Sequence, residues 1–486
     1  MTPLGLLEPD AVKVARPVLR GPGPSNGLGL PDQLCHTPAA LSAAFDEPNL
    51  IASAGLVPAV ALADRIGLRD LVDQWVTVPG SSGCAGVKVM SLVAGMLAGA
   101  DSIDDMDLLR HGGMGKVFDD VRAPSTLGSF LRSFTFGHVR QLDAVASRSL
   151  IGLAEAVPGL LAGGDGLVML DIDDTVKAVF GAGKQGAQHG YTHVRGLNAQ
   201  LATVSTEHAA PVIVAARLRR GAASSAHGAV RLARDGITTT RRAGVTGPIL
   251  VRTDSAYYNH AFATAVTKAG AWFSIGARQD PAVRRAIAAI DDQAWVRIEY
   301  SQAIPDTDTG ELVSAAEVAE IPYTAFTSHR TPITGRLIVR RVPERNQDKL
   351  ASAAQEGLFE VWRYHAIFTT NPAPLVQAES QHRGHAVVEQ VIADLKASAL
   401  AHLPSSRFTA NAAWLVAATI AFNLTRAIGV TAGGKFARAE GATVRARIIN
   451  TPARISRSGR RQRLHLPECW PWATHWQALW KSSFST

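Results

Sequence analysis

Cysteine is scarce in this chain of 486 residues, which contains only Cys35, Cys84 and Cys469. The three lie far apart and form no paired motif of the kind that binds zinc. Neither a zinc site nor a disulfide framework is therefore expected. Three unpaired cysteines favour a reducing cytoplasm.

The chain also lacks the sequence features of export, membrane insertion and nucleotide binding. Its N-terminus does not show the basic, apolar and small-residue order of a signal peptide. The longest apolar runs, at 87–100 and 412–422, are shorter than a bilayer requires, so they predict core helices and no membrane partner. The glycine-rich stretch 181–190 contains Lys184 but no Gly-Lys-Ser/Thr, which argues against a nucleotide P-loop.

Positive charge is in excess. The 49 lysines and arginines outnumber the 41 aspartates and glutamates, giving a net charge of +8. Such a balance favours an acidic partner such as nucleic acid, although an incidentally basic protein has the same composition. A hydrophobic content of 47% is ordinary for a protein with a buried core, and the length suits roughly three domains.

An apolar run at 168–176 ends in three carboxylates, Asp171, Asp173 and Asp174. The run predicts a buried strand. On an extended chain Asp171 and Asp173 project to the same face, whereas Asp174 projects to the other. Two carboxylates on one face repel each other unless a cation lies between them, and oxygen ligands suit Mg²⁺ or Mn²⁺. We therefore expect one part of a metal-dependent phosphoryl-transfer site here.

A second apolar run, 248–255, ends in Asp254. Between the two runs the pattern predicts a strand pair at 199–217 and a helix at 226–242, and a further helix and strand follow at 260–277. From about 280 to 361 the pattern changes to β-like runs, which predicts a β-rich insertion. The α/β pattern resumes at 364–369.

A helix predicted at 378–401 carries His382, His385, Glu389 and Lys396. At about 100° per residue the four side chains fall within roughly 60° of arc and form one polar stripe. Apolar residues occupy a separate arc and would pack the helix onto the sheet. From periodicity alone a solvated helix face is the better explanation of the stripe, but the two upstream acids favour a third metal ligand.

Taken together, these segments resemble the insertion-sequence transposases of the DDE class, which have a ribonuclease-H-like catalytic core. The resemblance covers about 165–405. It is carried by Asp173-Asp174-Thr175, by Val251-Arg252-Thr253-Asp254-Ser255, and by Glu389 with Lys396 seven residues later. The Tyr and Arg that precede the Glu in this class are His382 and His385 here.

The resemblance implies an α/β fold: a ribonuclease-H-like mixed-sheet core with an N-terminal helical domain, a β-rich insertion and a helical C-terminal region. The implied regions are a disordered arm at 1–45, a helical, DNA-binding domain at 46–162, the catalytic core at 163–279 and 362–430, the insertion at 280–361, and a basic and aromatic region at 431–486. In that last region, arginines at 454–463 precede four tryptophans at 470–480, a combination that suits DNA backbone and stacked bases or, equally, a solvated turn before a final helix.

The resemblance also implies the chemistry. Asp173, Asp254 and Glu389 would be both the catalytic acids and the ligands of two Mg²⁺ ions, which Mn²⁺ can replace. The implied DNA contacts are Lys396, His385, His382 and Arg252. The enzyme would cleave DNA at the ends of its element and join them to target DNA, acting as a homodimer in a prokaryotic cytoplasm in association with the nucleoid.

Two alternatives remain open at the level of sequence. Asp171-Ile172-Asp173-Asp174-Thr175 also fits the Asp-x-Asp-x-Thr motif of haloacid-dehalogenase-type phosphatases, with Asp171 as nucleophile and Asp173 as acid and base. A later acid pair at the end of an apolar strand, which such phosphatases have, is missing. The other alternative is a catalytically inactive, DNA-binding transposase relic. Within the transposase interpretation, Asp173 is favoured over Asp171 as the first metal ligand.

Overall fold

The N-terminal part of the chain is helical, as its apolar periodicity predicts. The computed structural model describes residues 42–80, 84–190, 192–298, 316–344 and 362–484. The first elements are β1 (Leu50–Ile51), α1 (Leu56–Arg65), α2 (Leu68–Trp75), α3 (Ala85–Ala98), α4 (Pro124–Arg132) and α5 (Phe136–Ala156). The longest of them, α5, begins at a capping box in which the Thr135 hydroxyl accepts a hydrogen bond from the backbone N–H of His138.

A ten-stranded mixed sheet follows, and it contains both acid-bearing segments. The first strand continues to Ala178, four residues beyond Asp174, so the prediction that its acids end the run is wrong. Its elements in the first half are β2 (Val168–Ala178), β3 (Gln188–His189), β4 (Arg195–Ser205), β5 (Val212–Arg220), α6 (Ala229–Arg242), β6 (Ile249–Thr253), α7 (His260–Lys268) and β7 (Trp272–Gly276). β2 is central: it pairs antiparallel with β4 and parallel with β6, and β6 pairs parallel with β7. Every residue of β6 is buried, which matches its continuous apolar run.

The strands of the predicted β-rich insertion extend this same sheet. They are preceded by α8 (Pro281–Ala288), and the strands are β8 (Val296–Ile298), β9 (Ala316–Ala325), β10 (Ile333–Pro343) and, after the insertion, β11 (Trp362–Thr369). The strand order is β3-β4-β2-β6-β7-β11-β10-β9-β8, with β5 paired to β4. The antiparallel pairing of β11 with β7 joins the added strands to the sheet.

The predicted single helix at 378–401 is interrupted in the structure. It consists of α9 (Leu375–Arg383), a 3₁₀ turn (Gly384–Ala386) and α10 (Val387–Lys396). A tighter turn inside a helix changes the angular relation of the side chains before and after it. The stripe geometry expected from one regular helix is therefore wrong.

The most buried helix is α11 (Phe408–Ala432), which packs against α5 and β5. The sequence predicts a core helix here, and this is confirmed, but the helix is longer than the apolar run at 412–422. With 25 residues it is long and apolar enough to cross a membrane, and 83% of its most apolar window is buried inside the protein. That degree of burial is what a core helix shows.

The C-terminal region contains α12 (Gly441–Val444), β12 (Ala453–Ser458), β13 (Arg461–His465) and α13 (Ala473–Phe484). β12 lies between β1 and β13 in a small antiparallel sheet. Trp476 is buried and Trp480 stacks on it at a centroid distance of 5.2 Å. Trp476 therefore packs inward, whereas Trp480 is half-buried.

Contacts divide the chain into one unit ending at Asp46 and a second starting at Glu47. The predicted arm falls mostly outside the described residues, as do residues 299–315 and 345–361 of the predicted insertion. The domain boundaries predicted near 162, 279, 361 and 430 all fall within the second unit and stay predictions.

Candidate active site

Asp171 is fully buried and engaged by two partners. Arg252, its neighbour on β6, donates from Nε and Nη2 to the two carboxylate oxygens, each at 2.6 Å. The Nδ1 atom of His385 lies 3.0 Å from Oδ1 of the same carboxylate. A carboxylate held bidentately by a buried guanidinium is a structural anchor and not a free nucleophile.

Asp174, on the opposite face of β2, is also fully engaged. Its carboxylate accepts hydrogen bonds from Asn198 Nδ2 at 2.6 Å and from Ser225 Oγ at 3.0 Å, and it forms a buried ion pair with Arg219. Asp171 and Asp174 therefore both stabilise the sheet through buried ion pairs with arginines.

Asp173 is the remaining carboxylate of the strand, and its electrostatic environment differs from that of its neighbours. Its Oδ1 accepts a hydrogen bond from the backbone N–H of Asp174 at 2.7 Å. Burial raises the pKa of Asp173 to about 6, and the negative charges of Asp254 and Asp174 act in the same direction, whereas His385 opposes them. The parallel register that pairs Asp171 with Arg252 brings Asp173 and Asp254, each two residues further along, to the same part of the sheet.

Asp254 directly follows β6 and caps the short 3₁₀ helix Ser255–Tyr257, where its Oδ1 accepts from the backbone N–H of Ala256 at 3.0 Å. The residue reaches solvent, yet enough protein surrounds its carboxylate that desolvation raises its pKa. The charge of His385 lowers the same pKa. His385 lowers the pKa of Asp173 as well, so its charge acts on both acids.

Glu389 is exposed in the first turn of α10, immediately after the 3₁₀ turn. Within the described ranges, no three or more His, Cys, Asp or Glu side chains lie close enough together to hold a metal ion. The structure therefore brings Asp173 and Asp254 together but does not add Glu389 to them. Lys396, at the other end of α10, is near enough to Asp173 for that carboxylate to raise its pKa, although burial and Lys177 lower it overall.

Two of the predicted DNA contacts have surroundings that do not fit that role. Arg252 is buried, and besides Asp171 it donates from Nη1 to the carbonyl oxygen of Gln381. Burial lowers the pKa of His382 to about 3, so this side chain is neutral, and its Nδ1 lies 2.9 Å from Ser274 Oγ. Neither side chain has a free charged group to offer a phosphate.

Sequence reasoning missed the anchoring network around Arg252. A signal was present, because a charged residue between Val251 and Thr253 inside an apolar strand requires a buried partner. Gly384 belongs to the same network: a Cβ added there would lie 2.9 Å from Arg252 Nη1. The glycine thus leaves room for the guanidinium to reach the carbonyl oxygen of Gln381.

Asp173 and Asp254 fit a divalent metal ion. Both are oxygen donors, and burial raises the pKa of both carboxyl groups. A bound cation would favour the ionised carboxylates that burial disfavours. Clusters of carboxylates with such perturbed pKa values are typical of functional sites.

The chain matches one protein family over most of its length. The family model described as "Transposase DDE domain group 1" matches residues 37–482. A search of curated proteins gave no match. Among solved structures, a piggyBac transposase synaptic complex with hairpin DNA aligns over 80% of this chain and 78% of that chain, with 8% identity and a TM-score of 0.40.

Proposed function

This chain belongs to the transposase DDE domain family, group 1, and we propose that Asp173, Asp254 and Glu389 are the acids of its active site. Membership makes it a DNA transposase, an enzyme that cleaves and transfers DNA strands. The observation that supports the assignment of the acids is the parallel pairing of β2 with β6, which brings Asp173 and Asp254 to the same part of the sheet, whereas Asp171 and Asp174 are held by buried arginines.

Enzymes of this family use divalent metal ions, and we propose two Mg²⁺ ions here, replaceable by Mn²⁺. When bound, such ions activate the attacking hydroxyl and stabilise the leaving oxygen of an in-line displacement at a DNA phosphate. The residues that would hold them are Asp173 on β2, Asp254 directly after β6 and Glu389 on α10. Asp171, anchored by Arg252, holds His385 beside the first two acids.

Glu389 must approach the other two acids for the triad to form. It lies directly after the 3₁₀ turn Gly384–Ala386, where the helix departs from regular geometry. Short 3₁₀ segments within helices often serve as hinges. We propose that engagement of DNA and metal at this turn brings Glu389 to the site, and that Lys396 and His385 contact the DNA backbone there.

The strand order supports a ribonuclease-H-like core. The strands β5-β4-β2-β6-β7 place the first acid-bearing strand in the centre, with the antiparallel pair on one side and the parallel strands on the other. Both proposed ligands of the sheet then come from adjacent parallel strands, β2 and β6. The helices that follow the sheet supply the third acid.

The proposed substrates are the ends of the protein's own insertion sequence and a target DNA. Two ends must be held together for one insertion, so we propose a homodimer as the active species. Light scattering of the protein with end DNA tests this, since a catalytically complete monomer would contradict it.

The experiment that tests the triad is Mg²⁺-dependent cleavage of a duplex carrying the element's own end. Replacement of groups that merely orient metal ligands already costs about 10–100-fold, so Glu389→Gln and Asp254→Asn should each lower the cleavage rate by at least about 100-fold. Both variants should still bind the duplex. Glu155→Gln, an exposed site on α5, is the matched control and should cleave normally.

A different outcome would revive the phosphatase alternative. Both variants would then cleave DNA like the wild type, while the wild type hydrolysed small phosphomonoesters and Asp171→Asn did not. The bidentate contact of Asp171 with Arg252 speaks against this result, because an attacking carboxylate must be free to reach phosphorus. If the protein were a catalytically inactive transposase, it would bind the duplex, and neither the wild type nor any variant would cleave it.

A further inference from the structure

The strands β12 and β13 form a two-stranded ribbon with an unusual charge pattern. A two-residue turn joins them, and Gly459 in that turn has a φ of 61°, which a residue with a side chain rarely adopts. The segment 441–467 contains seven arginines and no aspartate or glutamate. We call residues 453–465 the basic ribbon.

The two faces of the basic ribbon differ. Directly paired residues of an antiparallel ladder project to the same face. On one face Ile455 pairs with Leu464, and both pack against the hydrophobic core. On the other face the pairs are Arg454 with His465, Ser456 with Arg463 and Ser458 with Arg461.

The outward face is polar, basic and largely exposed. Arg461, Arg463 and His465 on this face are exposed, and so is Arg460 in the turn. Arg457 is also exposed, but it pairs with Gln462 on the face of Ile455. Arg454 has an acidic neighbour, since its Nε lies 3.6 Å from Glu47. The apolar contact of Ile455 and Leu464 fixes the ribbon to the protein, so the arginines are held in a row by a defined backbone.

We propose that the basic ribbon binds the phosphate backbone of duplex DNA. This inference rests on the proposed function and names a surface for its substrate outside the catalytic site. Guanidinium groups pair bidentately with phosphate oxygens, and a two-stranded ribbon is narrow enough to follow the major groove. A face with one sign of charge is complementary to a polyanion.

The same arginines could instead protect an exposed sheet edge. β13 is the outer strand of its small sheet, and charged side chains on edge strands prevent pairing with another molecule. The two explanations differ in what happens when the charges are removed. Loss of a DNA contact weakens binding, whereas loss of edge protection increases self-association.

The test is the salt dependence of binding to a short mixed-sequence duplex, using the full chain with Arg461→Gln and Arg463→Gln combined. Each phosphate contact contributes about 0.9 to the slope of log affinity against log salt, so the slope should fall by about 2. Affinity at moderate salt should fall roughly tenfold, while the cleavage rate at saturating end DNA should stay unchanged. The double variant with lysine at both positions should keep the wild-type slope.

The matched control removes the same charge from α8, with Arg284→Gln and Arg285→Gln, two exposed neighbours. The proposal is supported if the ribbon variant alone loses slope and affinity. It is overturned if both double variants weaken binding equally, since net charge alone would explain that, or if the ribbon variant binds normally and self-associates. A failure of the triad proposal is distinguishable from a failure of the ribbon proposal, because Asp254→Asn would then still cleave end DNA.

Discussion

At the scale of single residues, Arg252 connects three parts of the proposed active site. It lies on β6 beside Asp254, it holds Asp171 on β2, and it donates to the carbonyl oxygen of Gln381 at the end of α9. Asp171 in turn holds His385 in the 3₁₀ turn. One buried guanidinium therefore joins β6, β2 and the end of α9, and α9 is separated from the helix that carries Glu389 by the 3₁₀ turn alone.

Gly384→Ala tests this positioning role. Gly384 has a φ of −62°, so alanine fits its backbone, but the added Cβ would lie 2.9 Å from Arg252 Nη1. Because the guanidinium is held on its other side by Asp171, we expect a loss of about 1–3 kcal/mol in the free energy of unfolding, the usual cost of overpacking. Cleavage should slow while DNA affinity is retained.

Gly115→Ala is the control, since a Cβ there meets nothing within 4 Å. Urea denaturation and single-turnover cleavage measure the two effects. If Gly384→Ala matched Gly115→Ala in both assays, Arg252 would not position the helix.

The choice between Asp171 and Asp173 shows the limit of sequence reasoning at this scale. Both project to the same face of one strand, so local pattern cannot separate them. The distinction comes from Arg252, 81 positions away from Asp171, through the parallel pairing of β2 with β6. The sequence predicts that one of the two acids binds metal. Only the contact of Arg252 with Asp171 distinguishes Asp171 from Asp173.

At the scale of elements, local patterns predict the strands well. The β-like runs of the insertion correspond to β8, β9 and β10, and the resumption at 364–369 lies within β11. Period-2 alternation is a local property, so it can be recognised in sequence. The joining of these strands to the catalytic sheet depends on pairing between β11 and β7, which no local pattern encodes.

The interrupted helix illustrates a different failure. A single glycine inside a helical pattern is tolerated, so Gly384 gave no reason to predict a break between α9 and α10. The Arg252 side chain reaches the end of α9 from another strand, and that contact cannot be deduced from the helix itself.

The packing of α11 on β5 provides an element-scale prediction. β5 contains a bulge near Ile213, and the amide of Asn423 on α11 satisfies both backbone groups of Ile213, with the two hydrogen bonds at 2.8 Å. Asn423→Ala leaves a buried donor and a buried acceptor without partners. We expect the free energy of unfolding to fall by about 2–4 kcal/mol in urea denaturation.

Thr425→Ala provides the comparison for that loss. The Thr425 hydroxyl bonds only to the carbonyl oxygen of Ala421 in its own helix, at 2.8 Å, so its removal should cost little. Equal stabilities for the two variants would show that the bulge does not depend on α11.

At the scale of the whole molecule, one sheet carries the proposed chemistry and the inserted strands together. The sheet runs from β3 through the acid-bearing β2 and β6 to β8. The predicted α/β fold with its mixed sheet is confirmed, and the transposase function predicted from three short motifs is confirmed by a family match over residues 37–482.

The most direct test of the account is whether Asp173 is a metal ligand. We would measure cleavage of end DNA by Asp173→Cys in Mg²⁺ and in Mn²⁺, with Asp171→Cys as the matched control. Mg²⁺ strongly prefers oxygen ligands, whereas Mn²⁺ tolerates a thiolate better. Asp173→Cys should be inactive in Mg²⁺ and partly restored in Mn²⁺, while Asp171→Cys should be impaired equally in both metals because it acts through Arg252. Rescue of Asp171→Cys by Mn²⁺, without rescue of Asp173→Cys, would contradict the account.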